Sequence, residues 1–397
     1  MLLKSQILKK ITNNKNFFIN LKKSFDENTI DFISEFSNEI RKFSTKKNYD
    51  LMYLSLWSSR TKINELKKDY YFEKIKLGRG LVFHICPSNV PTNFIYSFFF
   101  GLLSGNSNII KIPSTNFHEK KVILRTINNL FKKKKYFNLK NSNFFIDLKR
   151  DDNRIKQISS ICDARVIWGG DKTIDEIRKN WIPQRAVELT FPDRYSLSII
   201  NIKKFGKLKS IEKRKIIRNF FYDTYIMNQL ACNSPHFIFW IGKKNTKIIN
   251  SFWNELYKFS KEHFDVKEKI SINKYNNIIK NIIDYKNFGN IKRFDNFLYV
   301  VDLKKIENIE NLRGFAGTFF QLNLDKLDQL SSYISKKCQT VTYFGYSEKD
   351  FKEFILKNDV RGIDRIVPIG NSFSINQFWD GYDIISNLLR VVNYEKN

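Results

Sequence analysis

Cys232 in the string NQLACNSP, Glu188 in RAVEL, His84 in LVFHI and His236 at the head of HFIFWI are side chains of reactive type set against apolar runs. A thiol with an ordinary pKa of about 8.5 is a few per cent thiolate at neutral pH, so it becomes a useful nucleophile once a neighbour helps it ionise. Glutamate and histidine move protons. A second set suits binding. Ser88 and Ser114 offer hydroxyls, Asn89 an amide and Lys111 a cation, and Gly169-Gly170 lies between an apolar run and a helix start. Glycines there let backbone approach a ligand, and a helix N-terminus attracts phosphate. Each residue also has a plain reading. Cys232 alone is a small residue at a helix-to-strand junction, where an inert buried thiol is the default. Asn89 is a turn residue, Lys111 a solvated strand end, Glu188 an edge-strand surface residue, and Gly-Gly a common turn. Both histidines sit in apolar strands, where a structural role is the ordinary one.

The elements that must position these groups are clearest in GRGLVFHICPSNVPTNFIYSFFFGLLSGNSNIIKIPS, residues 78–114. The apolar run 81–85 reads as a strand, broken by Pro87-Ser88-Asn89. Pro91 suits the first turn of a helix over 94–104, and Gly105-Asn106 stops it. A second strand, 108–112, ends at Pro113. Two strands joined by such a helix make a right-handed parallel unit. Its polar residues collect where the strands end, and ligands of open parallel sheets bind at carboxyl ends. Further on, the pattern predicts a helix over 117–131, a strand over 143–146 and a helix over 155–161. A strand over 164–168 runs into Gly169-Gly170, followed by a helix over 173–180 and a strand over 185–189. The G-x-G-x-x-G fingerprint is absent, and Gly78 and Gly80 precede a strand instead of following one. A basic helix over 211–227 leads to Cys232, and a strand over 236–241 and a helix over 246–259 open a second α/β pattern. Residues 1–75 show helical spacing, while 270–312 is Asn- and Lys-rich and says little.

A chain of 397 residues holds two or three domains and a large core. With 42% apolar and 15% aromatic residues it is globular. The formal charge of +29 raises nucleic-acid or anionic-membrane binding as a reading of a different class. Against it, the lysines are dispersed, and the clusters at 132–135 and 203–215 lack regularly interleaved aromatics. The cysteines, Cys86, Cys162, Cys232 and Cys338, lie far apart with no C-x-x-C, so neither a zinc site nor a disulfide framework is expected and a reducing cytoplasm is. The N-terminus has no signal-peptide run. The most apolar segment, 94–103, is about half of the roughly 20 residues that a membrane helix needs.

Taken together, the 78–114 string resembles the aldehyde dehydrogenase superfamily: a P-x-N turn at Pro87-Ser88-Asn89, a small-residue helix, then Gly105-Asn106 and Lys111-Ile112-Pro113-Ser114. It resembles more closely the long-chain acyl-CoA reductases, the reductase component of the bacterial bioluminescence fatty-acid reductase. The HI-x-P-x-N-V-P opening and the GN-x-N-I-x-K-x-P-S close belong to that branch. So do the replacement of "ELGGK" by Glu188-Leu189-Thr190-Phe191-Pro192, the NQ-x-AC-x-SP string, Gln339-Thr340-Val341-Thr342 and Trp379-Asp380-Gly381. The resemblance runs over about residues 76–392. It implies an α/β, aldehyde dehydrogenase-like fold: a helical segment 1–75, a Rossmann-like NAD(P)-binding domain 76–205, a catalytic domain 206–372, and a segment 373–397 returning to the cofactor domain or to an oligomer interface.

The same resemblance implies NADPH-dependent reduction of an acyl-CoA, or acyl-protein thioester, to an aldehyde through an acyl-cysteine. Cys232 is then the nucleophile, and the Asn89 amide and Cys232 backbone N–H hold the oxyanion. Lys111 takes the adenosine ribose or its 2′-phosphate with Ser114 and Ser88 near it, and Gly169 and Gly170 face the pyrophosphate. Glu188 is a general base for thiolate formation or for hydrolysis of the acyl-enzyme. No metal is implied. An acyl-transferring or acyl-activating enzyme is an expected partner, and a homo-oligomer the expected assembly. The alternative activity is aldehyde oxidation, with or without acylation of CoA.

Overall fold

The structure, a computed structural model, describes residues 2–44, 48–70, 75–285 and 288–395. The chain forms two compact units, Met1–Pro192 with Ile375–Asn397, and Asp193–Ser374.

In the first unit, β1 (Ile75–Gly78) precedes β2 (Leu81–Ile85), β3 (Ser107–Lys111), β4 (Asn143–Ile146), β5 (Ala164–Trp168) and β6 (Val187–Phe191). The last five form one parallel sheet in the order β4-β3-β2-β5-β6. The chain builds outward from β2 to β4 and then returns to add β5 on the other side of β2. That reversal is the place where open parallel sheets bind ligands, beyond the carboxyl ends. Side chains alternate between two cores. Val82, Ile110, Val166 and Leu189 pack under the helices Glu27–Arg41, Tyr49–Trp57 and Asn93–Leu103. Leu81, Phe83, Ile109 and Ile167 face Leu8, Ile155, Ile174 and Ile177 on the opposite side. The C-terminal segment closes this unit: strand Leu389–Val392 pairs antiparallel with β1, and Tyr70 OH donates to Asp383 Oδ1 at 2.6 Å.

In the second unit β7 (Tyr195–Asn201), β8 (Pro235–Ile241), β9 (Phe288–Phe294), β10 (Leu298–Leu303), β11 (Thr318–Leu324), β12 (Cys338–Phe344) and β13 (Arg365–Pro368) form a sheet ordered β13-β12-β7-β8-β11-β10-β9. Every neighbouring pair is parallel except β9 with β10. Its two faces carry separate cores.

The fold is thus the α/β arrangement expected, with the boundary between Pro192 and Asp193 instead of after residue 205. β7 is the reason: it pairs with β8 and β12, so it belongs to the second sheet. Residues 270–312, unreadable in the sequence, hold most of the helix Glu268–Asp284 together with β9 and β10. Among the described residues no helix is long and apolar enough to cross a membrane.

Candidate active site

Four strand ends of the first unit make a rim. Beyond β2, Ser88 and Asn89 are exposed, and the Ser88 and Ser114 hydroxyls lie 3.0 Å apart. Lys111 closes β3 and is 9% exposed. Burial holds its ammonium below the ordinary lysine value and nearby Arg150 pushes the same way, while Cys86 and Asp147 oppose them. It has no ion-pair or hydrogen-bond partner among the described residues. The following turn is fixed by Lys120, whose Nζ donates to Pro113 O at 2.9 Å. Arg150, in the loop after β4, donates from Nη2 to Thr173 Oγ1 at 2.8 Å. Thr173 belongs to the helix Asp171–Arg178 after β5. Three strand spacings, about 14 Å, separate β4 from β5, so Arg150 reaches across the rim. Gly170 caps that helix, and a Cβ added to it meets nothing within 4 Å. A phosphate-bearing nucleotide fits this set: an unpartnered cation, a second cation beside it, and open space before a helix N-terminus. Arg150 was not among the binding candidates in the sequence; it stands in the charged run Lys149-Arg150-Asp151-Asp152, which carries no motif.

Glu188 does not stand with the rim. It is the second residue of β6, about 10 Å of strand from the carboxyl end. Its Oε2 accepts from Arg165 Nε at 2.7 Å and from Arg165 Nη2, and Oε1 accepts from Arg178 Nε at 2.8 Å. Arg165 is 2% exposed and also donates from Nη1 to Asn180 O, at 2.8 Å. The carboxylate braces β5 and β6 to the helix below them.

The two histidines are structural. His84 stands between Ser97 Oγ, 2.7 Å from Nδ1, and Asn108 Oδ1, 2.9 Å from Nε2. Trp168 Nε1 also donates to Ser97 Oγ, at 3.0 Å, and Asn108 Nδ2 donates to Asn143 Oδ1 at 2.7 Å. Burial pushes the His84 imidazole down to about 4. His236 Nδ1 accepts from Gly314 N–H at 3.0 Å, and burial first, then Arg313, push its imidazole down to about 3.

In the second unit the helix Ser210–Tyr225 runs into Met227, Asn228 and Gln229, with φ of 56°, 53° and 61°. Left-handed backbone costs a non-glycine residue about 1–2 kcal/mol, so three in succession need outside support. Gln229 supplies it from a buried position. Its Nε2 donates to Pro235 O at 3.1 Å and Thr318 O at 3.2 Å, and its Oε1 accepts from Gly317 N at 2.8 Å and Thr318 N at 3.1 Å. Cys232 follows this turn. Its carbonyl accepts from Ser196 Oγ on β7 at 2.6 Å, and the next residue, Asn233, donates from Nδ2 to Ser372 O at 2.7 Å. Cys86, Cys162 and Cys338 are buried, and burial pushes the thiols of Cys162 and Cys338 up to about 12 and that of Cys86 further. Cys232 alone of the four is not buried. Asn89 lies in the first unit and Cys232 in the second.

A model of the acyl-CoA reductase (LuxC) family matches residues 25–393. The chain belongs to that family. Among its curated relatives, long-chain acyl-protein thioester reductases of Vibrio harveyi and Photorhabdus laumondii are 21% and 23% identical over 80% and 88% of this chain. The matched stretch spans 65% and 70% of those relatives, and 64% of a third from Aliivibrio fischeri that is 20% identical. Solved structures similar to this acyl-CoA reductase family member include aldehyde dehydrogenases. A succinic semialdehyde dehydrogenase from Streptococcus pyogenes in complex with NADP+ aligns with a TM-score of 0.65 at 9% identity, covering 100% of this chain and 94% of that one. Lactaldehyde dehydrogenase from Escherichia coli aligns at 0.61 and 12% identity, covering 98% and 86%. The fold is that of aldehyde dehydrogenases.

Proposed function

We propose that the protein reduces a long-chain acyl thioester, carried by CoA or by a protein, to the aldehyde through an acyl-cysteine on Cys232. The observation that carries this reading is the single cysteine that is not buried, set at the end of a strained turn that Gln229 clips to the sheet. The family and the names of the relatives supply the reaction class. The Cys232 thiolate attacks the thioester carbonyl, a bond forms from Sγ to the acyl carbon, and the thiol leaving group departs with its electron pair and is protonated. The resemblance assigns the negative oxygen of the tetrahedral intermediate to two donors, the Asn89 amide and the Cys232 backbone N–H. One such donor contributes roughly 3 kcal/mol, so Asn89→Ala lowers kcat by about 10²–10³ with KM little changed. Bound NADPH supplies hydride to the acyl carbon. Lys111 and Arg150 hold the phosphate on the adenosine ribose, with Ser88 and Ser114 beside them, and Gly169 and Gly170 leave room for the pyrophosphate. Glu188 acts through Arg165 and Arg178 as a brace, since its oxygens are already committed to two guanidiniums.

The test is NADPH consumption with myristoyl-CoA as trial substrate, for wild type and Cys232→Ala in parallel, with a radiolabelled acyl chain to trap the covalent intermediate. Oxidation of NADPH and acyl label in the wild type, both lost in the variant, are the expected results. Label that persists in Cys232→Ala sinks the nucleophile assignment. Absence of label with every acyl chain tried, alongside NADP-dependent aldehyde oxidation, moves the assignment to the oxidising reaction.

A further inference from the structure

We infer that Lys274 is a positioning residue for Cys232, acting through the Ala316 backbone on the left-handed turn at residues 227–229. The inference rests on Cys232 being the nucleophile. Its starting point is a helix that sits the wrong way round. Glu268–Asp284 exposes Ile272, Tyr275, Ile279, Ile282 and Ile283, and its inward row is Lys274, Ile278 and Asn281. Apolar burial therefore contributes little to seating this helix. Its polar contacts do the seating, and they converge on the segment 313–316. Lys274 is fully buried, and its Nζ donates to Ala316 O at 2.9 Å and Asn296 O at 3.0 Å and lies 4.5 Å from the centre of the Tyr299 ring. Asn281 Nδ2 donates to Arg313 O at 3.0 Å.

That segment is what the nucleophile turn leans on. Ala316, itself at φ 50°, donates its N–H to Asn228 O at 3.1 Å, and Gly317 donates to Gln229 Oε1. Gly317 cannot be replaced without disturbance. At φ 87°, an added Cβ comes within 2.6 Å of Phe297 O and Tyr225 OH. A buried ammonium is costly unless its donors are used, and the neighbouring carbonyls are the return for placing one here. Burial, with Arg293 adding, pushes Lys274 down to about 7, so the group keeps its donors in either protonation state near neutrality. Contacts run from Lys274 to Ala316, from Ala316 to Asn228 and from Gly317 to Gln229, and Cys232 follows Gln229 three residues on in the chain.

Lys274→Met and Lys274→Gln in the full chain test this by amide hydrogen exchange and by single-turnover acylation with labelled myristoyl-CoA. In Lys274→Met the peptide 226–232 is expected to exchange roughly tenfold faster or more, while β8 and β11 stay protected. Acylation per folded molecule falls on the order of 10–10²-fold with little change in KM, as misplacement of a reacting group predicts. Lys274→Gln, which keeps a donor, falls between Met and wild type, and it serves as the test if the methionine variant does not fold. Faster exchange confined to 268–299, with 226–232 at the wild-type rate, makes the lysine merely structural and overturns the inference. Because exchange needs no substrate, a wild type that is never acylated refutes the proposed reaction and leaves this readout to decide the positioning role separately.

Discussion

A guanidinium and a carboxylate buried side by side hold each other in place, and removing one leaves the other's charge unpaired in an apolar setting. Buried Arg165 and half-buried Glu188 come close to such a pair, adjacent in register on β5 and β6, with the exposed Arg178 on the far side of the carboxylate. Glu188→Gln should therefore act on stability first. A loss of roughly 3 kcal/mol is expected for a pair this buried, lowering the melting temperature by roughly 6–12 °C. At temperatures where the variant is folded, turnover and the hydrolysis of acyl-enzyme should stay within a few-fold of wild type. A variant that melts like wild type but no longer turns over would return Glu188 to the role of base. Arg150 makes the opposite case, an exposed cation that we propose faces the ligand. Arg150→Ala should weaken NADPH binding about tenfold, or ~1.4 kcal/mol, and leave NADH binding unchanged. Titration of nicotinamide fluorescence reads both, and equal losses for the two nucleotides would remove Arg150 from the 2′-phosphate.

His84 shows how one element is tied to three others. From β2 it meets Ser97 on the helix Asn93–Leu103 and Asn108 on β3, and Asn108 reaches Asn143 on β4. Its folded value of about 4 lies below the ordinary 6.5, so the unfolded chain binds the proton more readily. Its contribution is present above pH 6.5 and is lost as pH falls towards 4. Asp50, pushed up to about 7 by burial with Glu119 adding, works in the other direction over the same range. The two separate in a variant. Between pH 7 and 4.5, His84→Gln should lose roughly 2 kcal/mol less stability than wild type, measured by urea midpoints. Identical pH slopes would mean that the imidazole is solvated or already charged. The elements around His84 were legible as short apolar runs, with Gly80 and Pro87 marking the ends of β2 and Gly169 the end of β5: β2, β4 and β5 sit where their composition puts them. The brace was not, because Arg165 hides inside the apolar run ARVIW and strand pairing decides what it meets. Nor was the turn before Cys232, since no glycine marks the three left-handed residues. The helix Glu268–Asp284 went unread in its Asn- and Lys-rich surroundings, and most of its apolar residues, Ile272, Tyr275, Ile279, Ile282 and Ile283, are exposed. Cys232 was singled out through the resemblance, and burial of the other three thiols is an independent observation that favours the same choice.

At the scale of the whole molecule the chemistry is divided. The groups proposed to hold the nucleotide, Ser88, Lys111, Ser114, Arg150, Gly169 and Gly170, all belong to Met1–Pro192, while the proposed nucleophile, Cys232, belongs to Asp193–Ser374. Each unit has an apolar core on both faces of its own sheet, so each has the means to respond separately to its ligand. A ligand stabilises what it binds by RT ln(1 + [L]/Kd), about 2.7 kcal/mol at a hundredfold excess over Kd. Local openings around the rim should become rarer by up to the same energy, roughly a hundredfold in exchange rate. Hydrogen exchange with and without NADPH in the Cys232→Ala variant, where no acyl group can be carried, is the measurement. Protection should rise most in peptides covering 85–89, 107–114, 147–151 and 168–173. Acylation of the wild type in the absence of nucleotide should change 226–241 most and leave 107–114, 147–151 and 168–173 as they were. Protection by NADPH over 226–241 alone would place the nucleotide on the wrong unit and with it withdraw Lys111 and Arg150 from the site. The charge of +29 sets the control. A nucleotide attracted only by diffuse positive charge loses its effect steeply between 50 and 200 mM salt, whereas one held by Lys111, largely buried, and by backbone at Gly170 keeps most of its protection at the higher value.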